Sequence, residues 1–501
     1  MSPAATGTDV TVPLTAEETD SCTVGVSVPL AVTDFSIVVT LAATFVVVES
    51  AVAASTTFPT GRAALSAGDP PVNPRAVHYV ASGPGRRTGP HREGGARGVV
   101  TPMPVPFTVQ GKEAIRRVNL SAALASVRQA GQLSRSGLIR SLRLGRTTVF
   151  ELVGQLVDLG LLVEDERPEV AGVGRPSFVV RPSPQVGAFV VNPESDGVTV
   201  GAVTLGGELL ASVRRPTPSP LGPGQTVDVA AALLEETRSR LPGGFRIAGT
   251  GVAIPGQVDR ASGLVHLAPR LGWSDVDFAS MLADRLGTPA RADNNARLVA
   301  LAEHRAGIAK GLSDFVYVYA GAGGIGGGVV VNGRIVVGKN GFAGELGHVR
   351  ITQDARPDFG GISGTLEALV RRDELLALLG GEDLSDEEID ARVDAAPADL
   401  LLPLAERQLQ VVGAFIGDVA NVFDPQLVAL GGFVGSLYRR FPEPLLSAMS
   451  RVALPAIGGG LDIRATSDAR GKVLLGAAEL VFQEIVDDPM AFGVAAAHGA
   501  G

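Results

Sequence analysis

The chain has 501 residues, 45% of them hydrophobic, and a formal net charge of −9. That length accommodates more than one domain and that apolar content supplies a core. The negative charge excludes a protein that coats nucleic acid with its whole surface, while still permitting one small basic module. A single cysteine, Cys22, excludes an intrachain disulfide and a thiolate metal cluster, and fits a reducing cytoplasm.

Residues 1–104 are rich in Ser, Thr, Pro, Gly, Ala and Val, and Ser82–Gly98 carries no apolar periodicity. Such a segment buries too little surface to offset its ordering entropy. A disordered extension is expected, or an over-extended reading frame whose true start lies near Val99 or Met103. Phe35–Val48 is the one candidate for a membrane or export segment. Asp34 and Glu49 flank it, it falls short of the ~20 apolar residues that span a bilayer, and no basic region precedes it. Membrane insertion is therefore not expected.

From Gly111 the apolar spacing becomes helical. Leu120, Leu124 and Val127 share one face of a helix over Asn119–Ala130, which Gly131 ends. Ser134 caps a short second helix through Ser141, and Arg146–Leu159 places Val149, Leu152, Val153 and Leu156 on one stripe. Leu161–Val163 and Ser177–Val180 read as two short strands around the loop Arg167–Pro176. Three helices followed by a two-stranded wing predict a winged helix-turn-helix over residues 105–180. Between Lys112 and Arg146 stand eight basic residues (Lys112, Arg116, Arg117, Arg128, Arg135, Arg140, Arg143 and Arg146) against one acid, Glu113. This asymmetry suits phosphate contacts.

The sequence SRSGLIRSLRLGRTTVFELVGQLVDLGLL resembles the repressor pattern S-R-A-E-L-A-R-x-T-G-L-S-x-x-T-V-S-x-x-V-x-x-L-x-x-x-G-L of the ROK family (repressors, open reading frames and kinases). The resemblance implies operator DNA as partner. Thr147, Thr148, Phe150 and Glu151 lie off the apolar stripe near the start of the second helix of the motif, where base edges would be met. Arg135 and Arg146 would contact phosphate. Gly174–Pro176 matches the family's wing and makes Arg175 a minor-groove or phosphate contact. Two positions depart from the pattern: Arg143 replaces the turn glycine and Gly145 the serine cap.

Beyond Pro182 short β-rich runs (Gly197–Leu205, Ile247–Ile254, Phe315–Tyr319, Val329–Val331, Leu427–Leu430) alternate with helical stretches (Val227–Arg240, Phe278–Leu286, Ala296–Gly307, Asp399–Val422, Val473–Val486), which predicts α/β layers. Residues 181–490 resemble the ROK body, a two-lobed actin-like (ribonuclease-H-like) sugar kinase fold with a cleft between the lobes. GTGVAIPGQVD (Gly249–Asp259), PRLGW (Pro269–Trp273) and ADNNARLVALAE (Ala292–Glu303) each match a family motif, and Arg270 stands where the family carries an asparagine. The family's general base is an aspartate at position 295. Asn295 can hydrogen-bond a sugar hydroxyl but cannot take its proton.

The ATP side also departs from the pattern. The family's D-I-G is replaced within Val190–Gly197 by Asn192, Pro193 and Glu194. Pro193 removes a backbone donor and Glu194 puts negative charge where polyphosphate would sit. The glycine-rich turns Gly321–Gly328 and Gly431–Gly432 are kept, though glycines there serve equally well as tight turns between packed strands.

FAGELGHVRITQDARPDFGGISGTLE (Phe342–Glu367) resembles the family's sugar and zinc loop, G-E-L-G-H followed by C-x-C-G-x-x-G-C-L-E. Glu345, His348 and Glu367 are in place, but the cysteine positions hold Asp358, Gly360 and Thr365. The resemblance implies sugar binding by Asn294, Asn295, Glu345, His348 and Glu367, since carboxylates accept from neighbouring hydroxyls. Two ligands, Asp358 and His348, do not make a four-coordinate zinc site, so no metal is expected and no cofactor is implied. The combination reads as a sugar-responsive transcriptional regulator, a repressor, built as a homodimer or homotetramer with a kinase body that has lost catalysis. An ATP-dependent sugar kinase with an added DNA-binding domain, and a regulator that has lost its ligand, are the alternatives.

Overall fold

A computed structural model of the chain describes residues 111–165, 178–353, 356–381, 384–466 and 469–492. The extension 1–104, the stretch Phe35–Val48 within it, and Arg175 with its loop lie outside the described residues.

The N-terminal module consists of α1 (Lys112–Ala130), β1 (Leu133–Ser134), α2 (Arg135–Leu142), α3 (Arg146–Asp158), β2 (Leu162–Asp165) and β3 (Val179–Pro182). Leu120, Leu124 and Val127 on α1, Leu138 on α2, and Val149, Leu152, Val153 and Leu156 on α3 are buried together. Each helix thus turns one apolar stripe to a common core. Ser134 caps α2 by accepting from the Gly137 amide at 3.0 Å. Arg143 ends the helix at φ 52°, the left-handed conformation the sequence assigns to a glycine, at a cost of about 1 kcal/mol.

Two local differences from the sequence reading have simple causes. Helix α1 starts at Lys112 rather than Asn119, because Ile115 and Val118 in its first turns face outward and leave no buried stripe. The small sheet has three strands in the order β1-β3-β2 rather than two, and a two-residue strand is too short to show alternation.

The body opens with β4 (Val186–Glu194), β5 (Gly197–Thr204), β6 (Leu209–Pro216), α4 (Pro223–Arg238) and β7 (Arg246–Ile254). A small antiparallel sheet follows, made of β8 (Gln257–Val258), β9 (Val265–Ala268) and β10 (Trp273–Val276), then α5 (Phe278–Leu286), β11 (Ala290–Asn294) and α6 (Asn295–Ala306). The second lobe runs through β12 (Phe315–Gly321), β13 (Gly324–Val331), β14 (Arg334–Ile335), α7 (Leu366–Leu369), α8 (Arg372–Leu379), α9 (Asp386–Ala395) and α10 (Ala398–Phe423). It closes with β15 (Leu427–Gly431), α11 (Gly432–Arg440), α12 (Pro442–Val452), α13 (Pro455–Gly458), β16 (Asp462–Ala465) and α14 (Ala469–Asp487).

The two five-stranded sheets share one topology. In β11-β7-β4-β5-β6 and in β14-β13-β12-β15-β16, three antiparallel strands are extended by two parallel ones. Alternation along each strand feeds two cores. Phe315 and Tyr317 face the layer that holds α6 and α14, whereas Val316 and Val318 face α10 and α11. On the outer face of the first sheet Phe189 and Val191 pack against α4 and α5. Helices α6 and α14 therefore lie between the sheets, and their core is continuous with that of the N-terminal module. Among the described residues no helix is long and apolar enough to cross a membrane.

Two glycines permit that inner layer. A Cβ on Gly476 of α14 would stand 1.9 Å from the Leu298 carbonyl oxygen of α6, and one on Gly251 of β7 would stand 1.9 Å from the carbonyl oxygen of Ala477. Both obstacles are backbone, which cannot swing away. Gly476→Ala is expected to destabilise the chain by about 1–3 kcal/mol, the usual cost of overpacking, read as a lower urea midpoint with an unchanged slope.

Candidate functional site

Strand β11 ends and α6 begins at the mouth of the cleft. Asn294 caps α6: its Oδ1 accepts from the Arg297 amide at 3.1 Å, and its Nδ2 donates to the Gly256 carbonyl at 2.9 Å. Asn295 is half-buried and accepts from the Ala296 amide. Asp293 is fully buried; its Oδ1 accepts from the Asn294 amide at 2.7 Å and from Arg297, while its Oδ2 has no hydrogen bond and lies 3.8 Å from Arg260. Burial raises the Asp293 pKa against the opposing pull of Arg297 and Arg260. Its carboxylate is thus committed to Arg297 rather than presented as a substitute base.

Arg297 is a residue that motif reading passed over. It is 2% exposed, and its second terminal nitrogen donates to the Ala343 carbonyl at 2.9 Å. It therefore ties the β11–α6 junction of the first lobe to the loop that carries Glu345. A buried arginine leaves no periodic signature, and only the fold reveals its two partners.

Glu345 precedes a short 3-10 turn, Leu346–His348. It is half-buried, and its carboxylate makes no hydrogen bond among the described residues; burial raises its pKa, and His348 and Arg297 oppose that shift. Glu367 on α7 accepts from the Ile325 amide at 2.8 Å. Burial raises the Glu367 pKa too, partly offset by that amide and by His348. Gly324, at φ 115°, makes this approach possible, because a Cβ there would stand 2.4 Å from Glu367 Oε2.

The loop between these glutamates is held by a carboxylate. Asp358 is buried; its Oδ2 takes hydrogen bonds from His348 Nδ1 at 2.8 Å and Thr365 Oγ1 at 2.9 Å, and its Oδ1 from the Ile362 amide at 2.9 Å. Burial alone would push this carboxyl up, but the three donors outweigh it and leave the pKa below the ordinary value. Thr365, one of the three cysteine positions, also caps α7 through the Ala368 amide. Asp358 therefore fastens the segment of Glu345 to that of Glu367 directly. Among the described residues no group of three or more His, Cys, Asp or Glu side chains is placed to hold a metal ion.

At the end of β4, Glu194 is held by Thr199 at 3.3 Å and by Arg214 at 3.6 Å. The glycine-rich turns lie against aromatic rings. A Cβ on Gly321 would meet the Tyr319 ring at 2.4 Å, and one on Gly431 would meet the Tyr317 hydroxyl at 2.4 Å. Tyr319 in turn donates to Asp386 at 2.7 Å. Gly326 and Gly328 of β13 make room for Ala296 and Ala300 of α6. Four of these glycines therefore serve packing of aromatic rings and of a helix.

On the N-terminal module, Arg146, Thr147, Phe150 and Glu151 are exposed along one side of α3, and Thr148 is half-buried. Two arginines depart from the sequence reading. Arg135 is not a free cation: it makes a bidentate pair with Glu164 at 2.5 Å and lies 4.0 Å above the Phe150 ring. Arg128 is 6% exposed and points into the body, where it meets Glu479 of α14 at 2.9 Å. The basic excess of the module is therefore only partly available to phosphate.

Two α/β lobes of like topology, with carboxylates gathered at the cleft between them, define a sugar-kinase-like body. The ROK family profile matches residues 195–484, and the chain belongs to this family. It is similar to the xylose repressor of Caldicellulosiruptor bescii, 25% identical over 397 residues that cover 75% of this chain and 98% of the repressor. It is also similar to the glucokinase of Halalkalibacterium halodurans, 26% identical over 314 residues, 58% of this chain and 94% of that enzyme. Among solved structures, a ROK family transcriptional regulator homologous to the Escherichia coli MLC protein superimposes with a TM-score of 0.63 at 22% identity, covering 76% of this chain and 99% of the other.

Asp358→Ala removes three hydrogen bonds and leaves buried Thr365 without its acceptor. A loss of about 2–4 kcal/mol is expected from charged hydrogen bonds of this type, measured by urea unfolding. Added zinc should not restore it, because Gly360 offers no donor.

Proposed function

We propose that the chain is a sugar-responsive, DNA-binding transcriptional regulator, a repressor, whose kinase-like body senses a carbohydrate without phosphorylating it. The observation that carries this reading is the cleft itself. Glu345 and Glu367 stand as acceptors on a loop fastened by Asp358, while Asn295 occupies the place of the base. A sugar's adjacent hydroxyls would donate to the two glutamates, with Asn294, Asn295 and His348 as further hydrogen-bonding partners. The competing reading, an ATP-dependent sugar kinase with an added DNA-binding module, draws support from the similarity to a glucokinase. Asn295, the ion-paired Asp293 and the tyrosine-filled glycine turns weigh against it.

Residues 105–180 act as the winged helix-turn-helix in this reading, with α3 entering the major groove. Thr147, Thr148, Phe150 and Glu151 then face base edges and Arg146 a phosphate. Arg135 serves by fixing Phe150 rather than by meeting DNA. Arg175 retains its proposed place in the wing. The similarity to a xylose repressor over 397 residues supports a regulator that includes such a module. A homodimer reading a palindromic operator fits this arrangement, and the work of such a protein lies in the cytoplasm. Sugar would favour one disposition of the lobes and so shift the population that binds DNA.

Arg146→Ala should lower operator affinity and flatten the slope of log affinity against log salt by about one unit, whereas Arg135→Ala should leave that slope unchanged. Fluorescence anisotropy across a salt series checks both.

Glu345→Gln keeps the size of the side chain and replaces an acceptor oxygen with a donor. Sugar affinity should fall at least about tenfold, read by calorimetry with D-xylose, D-glucose and N-acetylglucosamine, while operator affinity without sugar stays at the parent value. Because burial raises the Glu345 pKa, this group takes up a proton at a higher pH than an exposed glutamate. Parent affinity should therefore decline on acidification from neutral pH, and the Gln variant should show a shallower decline.

A further inference from the structure

Helix α6 runs from the cleft to the N-terminal module, and both of its ends are charged contacts. At the first end, Asn294 caps it and Arg297 joins Asp293 to the Ala343 carbonyl of the other lobe. The helix is 12 residues long, about 18 Å at 1.5 Å per residue, and near its other end Arg305 lies 3.6 Å from Glu479 Oε1 on α14. The same oxygen accepts from Arg128 of α1 at 2.9 Å. Arg128 also donates to the Leu205 carbonyl at 3.0 Å and sits 4.9 Å over the Phe482 ring. The side chains of Arg128, Glu479 and Arg305 are 5%, 14% and 17% exposed.

We propose that Glu479, shared between Arg305 at the far end of α6 and Arg128 on α1, is the junction through which the state of the cleft reaches the N-terminal module. The proposal rests on the sensing function assigned above. One carboxylate faces two arginines in a largely dry setting, where electrostatic contacts are strong and sensitive to small displacements. Burial, aided by Arg128, pushes the Arg305 pKa down to about 10 against the pull of Glu479, so Arg305 stays charged at neutral pH, and the two guanidinium groups reach the same oxygen.

A helix transmits displacement along its axis without bending. A ligand that draws the Glu345 loop towards the first lobe pulls on Arg297 through Ala343 and moves α6 as a unit. Lys472 of α14 grips Glu303 of α6 at 2.7 Å, and Gly476 allows backbone contact with Leu298. Axial motion of α6 is thereby passed to α14 and alters the share of Glu479 held by Arg128. The affected pair is the one that seats α1 on the body.

The test uses the full chain and a DNA duplex enriched from a random pool by the parent protein. Arg305→Met retains bulk and packing and leaves the Arg128–Glu479 pair intact. Glu479→Gln removes the junction. Operator affinity is measured with and without D-xylose, D-glucose or N-acetylglucosamine, alongside hydrogen exchange of the α1 amides in the sugar-free proteins. Coupling of the usual size changes operator affinity about 5–150-fold in the parent, and Arg305→Met should reduce that ratio to within about twofold of one, with sugar affinity near the parent value. The α1 amides should exchange faster in Glu479→Gln, which loses the pair that seats α1, and no faster than the parent in Arg305→Met, which keeps it, while those of α5 match the parent in both. Retention of the full sugar response by Arg305→Met, or parent-like α1 exchange in Glu479→Gln, overturns the proposal. Faster α1 exchange in a protein whose parent responds to none of the three sugars would uphold the junction and remove the sugar-sensing reading instead.

Discussion

The contact between α6 and α14 is the constraint on which the rest of the molecule depends. Each of the two sheets has one face turned towards this pair, and neither face could be dry unless the helices lay close enough to fill the space between. Gly476 against Leu298 and Gly251 against Ala477 set that distance at backbone contact. The start of α6 then fixes Asn294 and Asn295 at the cleft, and its end fixes Arg305 beside Glu479. The N-terminal module shares the core that α14 closes. A shift of this pair would therefore be felt at the cleft and at the module together.

Buried charge follows a consistent rule across the structure. Asp358 collects three donors, Asp293 is met by Arg297, Glu303 by Lys472 and the Ile308 amide, and Glu479 by two arginines. An ionised group removed from water must regain its hydrogen bonds inside the protein, and a carboxylate with several donors does so. Glu303 and Glu479 also join segments far apart in sequence, whereas Asp293 and Asp358 tie together residues of one local stretch. They contribute less net stability than apolar packing of equal volume would, and they allow only one relative placement of the parts they connect. At Asp358 this gives the glutamate-bearing loop a fastening made wholly of side chain and backbone.

The two sides of the cleft have been treated differently. Glu345 and Glu367 stand partly open, with pKa values raised by burial. Tyr317 and Tyr319 lie against Gly431 and Gly321, and Glu194 lies among Thr199 and Arg214.

The sequence by itself determined those helices and strands whose apolar residues are periodic over several turns or pleats, because periodic burial needs only neighbouring residues to be visible. The stripes of α1 and α3, the alternation in β12 and the Ser134 cap were all legible in this way. It also determined the loop of Glu345, His348 and Glu367, where the spacing of a whole motif survives, and the left-handed turn at Arg143. Tertiary structure alone decided the partners of the charges. Whether Arg128 faces DNA or the body, whether Arg135 is free or held by Glu164, and whether Asp358 is a stray carboxylate or a hub depend on residues up to hundreds of positions away. The same holds for the tyrosines beside the glycine turns and for Arg297 between the lobes. Local pattern records which face of an element avoids water, while the partner of a buried polar atom is fixed only when distant segments are brought within hydrogen-bond range.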